Sequence, residues 1–204
     1  MSHQLPPLKP APVAREVHEL IKSRWSPLAF SSDPIEPEKI KTLFEAMRWA
    51  PSSYNGQPWR IVYVVQDHPE QFEKLSSLLV EGNAWAKTAS LLLLVCAQKN
   101  FDHNGEPNKH HQYDTGAALE NLFLQVTALG LVGHEMAGFD EEKSYELLGI
   151  PREEYVSMAM MAVGYPGDES ELNDDLLQRQ KAPRQRKPIQ ELVFAGEWGK
   201  PMDL

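Results

Sequence analysis

Apolar residues recur along this chain at two spacings, and proline closes most of the segments they define. Val17, Leu20 and Ile21 open a first helix, which must end near Pro27 because a proline ring lacks an N–H and restricts the residue before it. Pro37 then stands where a helix can begin, and Ile40, Leu43, Phe44, Met47 and Ala50 follow at spacings of three and four, predicting an amphipathic helix that stops at Pro51. Ile61 to Val65 is β-branched and aromatic, a strand pattern. Pro69 opens a helix carrying Phe72, Leu75, Leu78 and Leu79, and Leu91 to Ala97 is an apolar run of strand length, expected to be buried on both faces. After a polar loop from Asn100 to Gln112, Leu119, Leu122, Phe123 and Val126 mark a buried helix running to Gly130. Asp140 is placed to cap a short helix with Tyr145, Leu147 and Leu148, and Val156 to Val163 reads as a further strand. The segment from Tyr165 to Pro188 is polar, and Ile189 to Phe194 turns apolar and strand-like again.

No internal repeat and no linker interrupts the pattern, which predicts an extended Pro-rich arm over 1–14 and one domain mixing helices and strands over 15–204. A hydrophobic share of 42% in 204 residues is enough to build a core, which disfavours a disordered chain. The 20 Lys+Arg against 29 Asp+Glu leave a net charge of -9, which disfavours nucleic acid and anionic lipid as general partners. No apolar run approaches the ~18 residues of a membrane span, and Cys96 is the only cysteine, so a cytoplasmic protein is expected.

Four constellations carry candidate chemistry. Arg24-Trp25-Ser26 offers a guanidinium fork and a hydroxyl that suit a phosphate or sugar oxygen, or else a surface arginine beside a cap-like serine. Ala50-Pro-Ser-Ser-Tyr-Asn-Gly-Gln-Pro-Trp59 holds neutral donors and acceptors between two prolines, fit for a polyol or a heteroaromatic edge, or for a structural turn. Arg179, Lys181, Arg184, Arg186 and Lys187 form a basic run that is either a solvated face or a partial phosphate clamp. Gly130-Leu-Val-Gly-His-Glu-Met-Ala-Gly-Phe-Asp140 has glycines that either let backbone approach a flat ring or mark tight turns. His103, His110 and His111 share a polar loop without the ligand spacing of a metal site.

Taken in order, these strings and Gly164-Tyr-Pro166 resemble the FMN-dependent nitroreductase family from about Val13 to Gly199; Pro-Ser-Ser-x-Asn-x-Gln-Pro-Trp is the most specific. The resemblance implies an α+β fold: a dimeric, three-layer α/β/α sandwich around a mixed, largely antiparallel sheet. It implies a homodimer with FMN at the interface and NAD(P)H as electron donor, reducing nitroaromatics, quinones or related small molecules by a ping-pong mechanism. Arg24, Trp25 and Ser26 would bind phosphate and ribityl chain, with Arg184 and Arg186 closing around the phosphate. Pro51, Ser52, Ser53, Asn55 and Gln57 would come from the partner subunit, Asn83 would lie near the ring, and Glu135, Met136, Ala137 and Gly138 would run along the isoalloxazine. The FMN itself would carry the chemistry, with no acid–base dyad in the protein. The chain departs from the family at Leu28, where many members place a basic residue beside the negative N1–O2 edge of the reduced flavin. That departure keeps open an FMN-storing or FMN-sensing protein, and the family also contains branches with dehalogenating or flavin-cleaving chemistry.

Overall fold

The computed structural model describes residues 9–202. Four strands form one sheet in the order β1-β2-β4-β3, where β1 is Trp59–Val65, β2 Leu91–Gln98, β3 Val132–Met136 and β4 Tyr155–Gly164. Every pairing is antiparallel, so the mixed sheet implied by the resemblance has no parallel member among the described residues. β2 and β4 are central and apolar apart from Gln98 and Ser157, and their alternate residues point to two separate cores. Leu92, Leu94, Cys96, Met160 and Ala162 meet Leu75, Leu78 and Trp85 on one face. Leu91, Leu93, Met161 and Val163 meet Leu43, Met47, Leu122 and Val126 on the other. Two cores on one sheet make the three-layer sandwich.

The helices are α1 (Glu19–Ser23), α2 (Pro37–Arg48), α3 (Pro69–Ser76), α4 (His111–Ala128), α5 (Glu141–Leu148) and α6 (Asp174–Lys181). Pro37 starts α2 and Pro69 starts α3, as their positions predict. Asp140 accepts the Lys143 N–H at 2.9 Å and caps α5.

Five expectations change. The expected first helix is short, from Glu19 to Ser23. Leu78 and Leu79 lie beyond the end of α3, ahead of a 3-10 segment, Glu81–Thr88, that presses Trp85 and Ala86 into the core. Within the glycine-rich segment, Val132–Met136 is an edge strand paired with β4, and Gly133 sits close against the Met161 and Phe123 side chains. The polar segment after Tyr165 contains α6, capped by the Asn173 side chain on the Leu176 N–H at 2.9 Å. The strand-like Ile189 to Phe194 contains a 3-10 turn, Ile189–Glu191, and no sheet strand; Ile189, Leu192 and Val193 stay exposed. Of the arm over 1–14, residues 1–8 fall outside the described residues; beyond them the Ala11 N–H donates to the Lys22 carbonyl at 2.8 Å.

Candidate functional site

Two of the four constellations take shape on opposite sides of α4. On one side, Arg24 follows α1 and its Nη1 donates to the Ser26 hydroxyl at 3.4 Å. Its guanidinium stands 5.5 Å from the centre of the Phe123 ring on α4 and 4.0 Å from the Glu120 carboxylate. Arg184 donates to the Lys9 carbonyl at 2.9 Å and so ties the tail beside the same turn. Partial burial and the facing Arg24 and Arg186 guanidinia push the Arg184 side chain below its ordinary basicity. Among the described residues, Glu120 is the one carboxylate in salt-bridge range of these three arginines, and it reaches only Arg24. Trp25 is half-buried under the Lys9 ammonium, 5.5 Å from its ring centre.

The turn is braced from behind. The Leu28 N–H donates to the Gln180 side-chain carbonyl at 2.7 Å, and the Leu28 side chain is buried in the core. Ser31 N–H bonds the Tyr165 carbonyl at 2.9 Å and Gly167 N–H the Ala29 carbonyl at 3.1 Å. Gly167 is obligatory there, since a Cβ would fall 2.3 Å from the backbone carbon of Phe30. His134 on β3 bonds the Pro27 carbonyl through Nδ1 at 2.8 Å and lies against Trp85. Burial pushes its imidazole below the usual histidine value, the Pro27 bond opposes this, and Arg179 and Arg24 add to it; a carbonyl partner requires the proton on Nδ1.

On the far side of α4, the Pro51 to Gln57 segment is wound tightly upon itself. Tyr54, Asn55 and Gln57 all have left-handed φ, at 49°, 54° and 44°. Residues with a Cβ adopt this conformation only under constraint. The constraints are the Asp114 carboxylate, which accepts the Ser53 N–H at 3.0 Å, and the Ser52 hydroxyl, which accepts the Gln57 N–H at 3.1 Å. Ser52 and Ser53 thus spend groups on the turn itself, while Pro51 and Asn55 are exposed. Phe123 follows Asp114 by nine residues, which on a helix is about 13 Å along the axis and about half a turn round it. Asn121, on the Asp114 face, bonds the Ala46 carbonyl of α2 at 3.3 Å, whereas Arg24 lies on the Phe123 face. A single chain therefore keeps the arginines and the Ser-Ser-Tyr-Asn turn apart.

The Glu135 to Gly138 segment leaves the sheet at its edge. An edge strand presents unpaired N–H groups on its open side, and β3 is such a strand. Met136 is buried in the core, which leaves only its backbone for a ligand, while Glu135 and Ala137 are exposed. Asn83 is not free to reach outward with its amide nitrogen, which donates to the Gly138 carbonyl at 2.8 Å. A Cβ at Gly138 would come within 2.7 Å of that nitrogen, so the glycine permits the close approach of the two segments. Glu120, Phe123, Asp114, His134 and Gln180 are site-building residues that sequence reasoning missed. Asp114 alone carried a signal, an acid at the head of an apolar helix pattern.

The sequence model of the nitroreductase family matches residues 21–165, a span that includes the Arg24 turn, the strained turn, β3 and the Tyr165 brace. The chain belongs to the nitroreductase family. An uncharacterized 15.4 kDa protein of Mycolicibacterium smegmatis is 35% identical over 133 residues, covering 65% of this chain and 88% of that one. The FMN reductase (NAD(P)H) of Bacillus subtilis is 28% identical over 175 residues, covering 76% of this chain and 68% of that one. A solved oxidoreductase containing FMN is 38% identical with a TM-score of 0.87 and covers 92% of this chain and 96% of that one. A nitroreductase family protein of Clostridium difficile, 24% identical with a TM-score of 0.68, covers 90% and 99% and shares the fold. Among the described residues of this nitroreductase-family chain, no helix is long and apolar enough to cross a membrane, and no cluster of three His, Cys, Asp or Glu side chains could hold a metal ion.

Proposed function

We propose that this chain is a cytoplasmic FMN-dependent oxidoreductase that takes electrons from NAD(P)H and passes them to small organic oxidants, with 15–204 as its single FMN-binding domain. The observation that carries the reading is the Arg24, Arg184 and Arg186 cluster, in which Arg184 lies close enough to the other two guanidinia to lose basicity and whose charges a phosphate dianion would neutralise. The donor set fits the rest of FMN as well. Ser26 offers a hydroxyl to the ribityl chain, and the backbone from Glu135 to Gly138 offers edge N–H groups to a flat ring. FMN supplies the electron-carrying ring, over which donor and oxidant bind in turn by a ping-pong scheme. The residues of this chain hold that ring, orient it and shield it; no side chain is assigned a proton to move.

The reading includes a homodimer in which Pro51, Ser52, Ser53, Asn55 and Gln57 of one subunit reach the flavin held by the other. It is supported by the way α4 separates the two half-sites within one chain. It is also supported by exposed apolar groups on the tail, Ile189, Leu192, Val193 and Trp198, the last 93% exposed. A groove of about 780 Å3 beside the edge strand β1, lined by Ile35, Ile40, Phe44, Tyr63, Val65 and Ser90, is a matching surface for a tail that wraps the partner. The Ser90 hydroxyl is buried there without a hydrogen-bond partner among the described residues.

The phosphate clamp decides the reading. In titrations of FMN and riboflavin, Arg24→Ala and Arg186→Ala should each weaken FMN by about ten- to a hundredfold, the worth of roughly 1.5–3 kcal/mol for a charge-assisted contact. Riboflavin, which has no phosphate, should lose far less. Equal losses for the two ligands, or a protein that takes up no FMN, would overturn the proposal.

A further inference from the structure

A second, more polar pocket of about 520 Å3 lies beside the strained turn, lined by Tyr54, Asn55, Gln57, Arg60, Asp102 and His103. The half-sites described above leave most of it unused. Tyr54 forms one wall: it is 85% exposed, in a left-handed conformation, and stands edge-on to Phe101 with ring centres 5.8 Å apart. Phe101 in turn lies against His103 at 5.2 Å, so three rings make one continuous aromatic surface. The loop that carries two of them is closed on itself. Phe101 N–H donates to the Glu106 carbonyl, Gly105 N–H to that of Phe101 and Asn108 N–H to that of Lys99, each at 2.8 Å. An exposed ring held rigidly in water gains little from folding and is arranged to meet another flat group.

The opposite wall is a cation. Arg60 is anchored by Nη1 donating to the Gln57 and Trp59 carbonyls at 2.9 Å, and its side chain remains 44% exposed. Asp102 is its partial counter-charge, 3.7 Å from Nη2, and the Gln98 side chain bridges the two, its carbonyl accepting from Arg60 Nη2 and its amide donating to Asp102. Ring, cation and the Asn55 side chain therefore border one small space, while the Gln57 amide nitrogen is held within the turn by the Asn55 carbonyl at 3.1 Å.

We propose that this pocket is a binding subsite for a planar aromatic anion, its ring against Tyr54 and His103 and its carboxylate or equivalent group directed at Arg60. Asn55 borders both the pocket and, on the reading proposed above, the partner's flavin; on that reading the subsite selects anionic aromatic oxidants over neutral ones.

The test is calorimetric titration of the purified protein, with the flavin it carries, using 2-naphthoate and the neutral 2-naphthamide. Neither ligand is an electron acceptor, so binding is read without turnover. The naphthoate should bind about two- to fivefold more tightly, as expected for a half-exposed ion pair. Arg60→Gln should erase that preference, Asp102→Asn should widen it, and Tyr54→Ala should weaken both ligands. Because Arg60 also holds the Gln57 carbonyl, the Asp102→Asn gain is the decisive arm, since loosening of the turn does not produce it. Equal affinities in the wild type, a preference unmoved by Arg60→Gln and Asp102→Asn, or no binding of either ligand would overturn the subsite. A chain that takes up no FMN yet shows the preference would overturn the flavin reading and leave the subsite standing.

Discussion

The Ser53 N–H donates to the Asp114 carboxylate at 3.0 Å, and this bond joins the head of the longest helix to a turn in which three of four consecutive residues are left-handed. Asp114 is 4% exposed, and its carboxyl group lies in the first turn of α4 with the Ser53 N–H as its hydrogen-bond partner. Asp114→Ala should cost about 1.5–3 kcal/mol in urea unfolding, and Asp114→Asn, which keeps an acceptor, clearly less. Equal losses in the two variants would show that the side chain merely fills space.

Glu36 gives the fold an acid-sensitive clip. The Tyr165 hydroxyl, then the backbone of Glu36 itself and the Lys39 ammonium, lower its pKa to about 2. A pKa below that of the unfolded chain means stabilisation present above about pH 4.5 and lost as the pH falls towards 2. Thermal midpoints measured from pH 6 to pH 2 should fall less steeply for Tyr165→Phe than for the wild type. Parallel profiles would remove Glu36 as a source of acid sensitivity. The clip matters for the site because the Tyr165 carbonyl also holds Ser31, behind the Arg24 turn.

Ending the chain at Pro188 tests what the exposed tail is for. The truncated protein keeps Arg24, Arg184 and Arg186 but loses Ile189, Leu192, Val193 and Trp198. Light scattering should report a monomer where the full chain is a dimer, with FMN retained poorly despite the intact arginines. A truncated dimer with full FMN would show that other surfaces make the interface.

The apolar spacing carried most of the fold. Alternate-face burial of β2 and β4 follows from runs of Leu, Val, Met and Ala, and the prolines at 37 and 69 stand where helices begin. β3 was hidden because Gly133, His134 and Glu135 break the apolar alternation; its strand character comes from pairing with β4 rather than from propensity. The polar tail hid α6, whose one fully buried side chain is Gln180, a residue that periodicity does not count as core. At the site, the motifs located Arg24, Ser26 and the Ser-Ser-Tyr-Asn turn, but their partners lie far away in the sequence: Phe123 for Arg24, Asp114 for Ser53, Gly138 for Asn83. Such contacts are products of packing and leave no local trace.

The placement of two half-sites on opposite faces of α4 has an arithmetic consequence. If each flavin draws its arginines from one chain and its turn from the other, then a chain damaged only at Arg24 and a chain damaged only at Asn55 are each defective alone, yet a hybrid of the two contains one undamaged cofactor cavity and one that is doubly damaged. Random reassortment of equal amounts should make half the molecules hybrids, restoring about a quarter of the wild-type cavities. A mixture of Arg24→Ala and Asn55→Ala proteins, unfolded and refolded together, should therefore regain flavin capacity that neither regains separately; a mixture no better than the mean of its parents would place both halves in one chain.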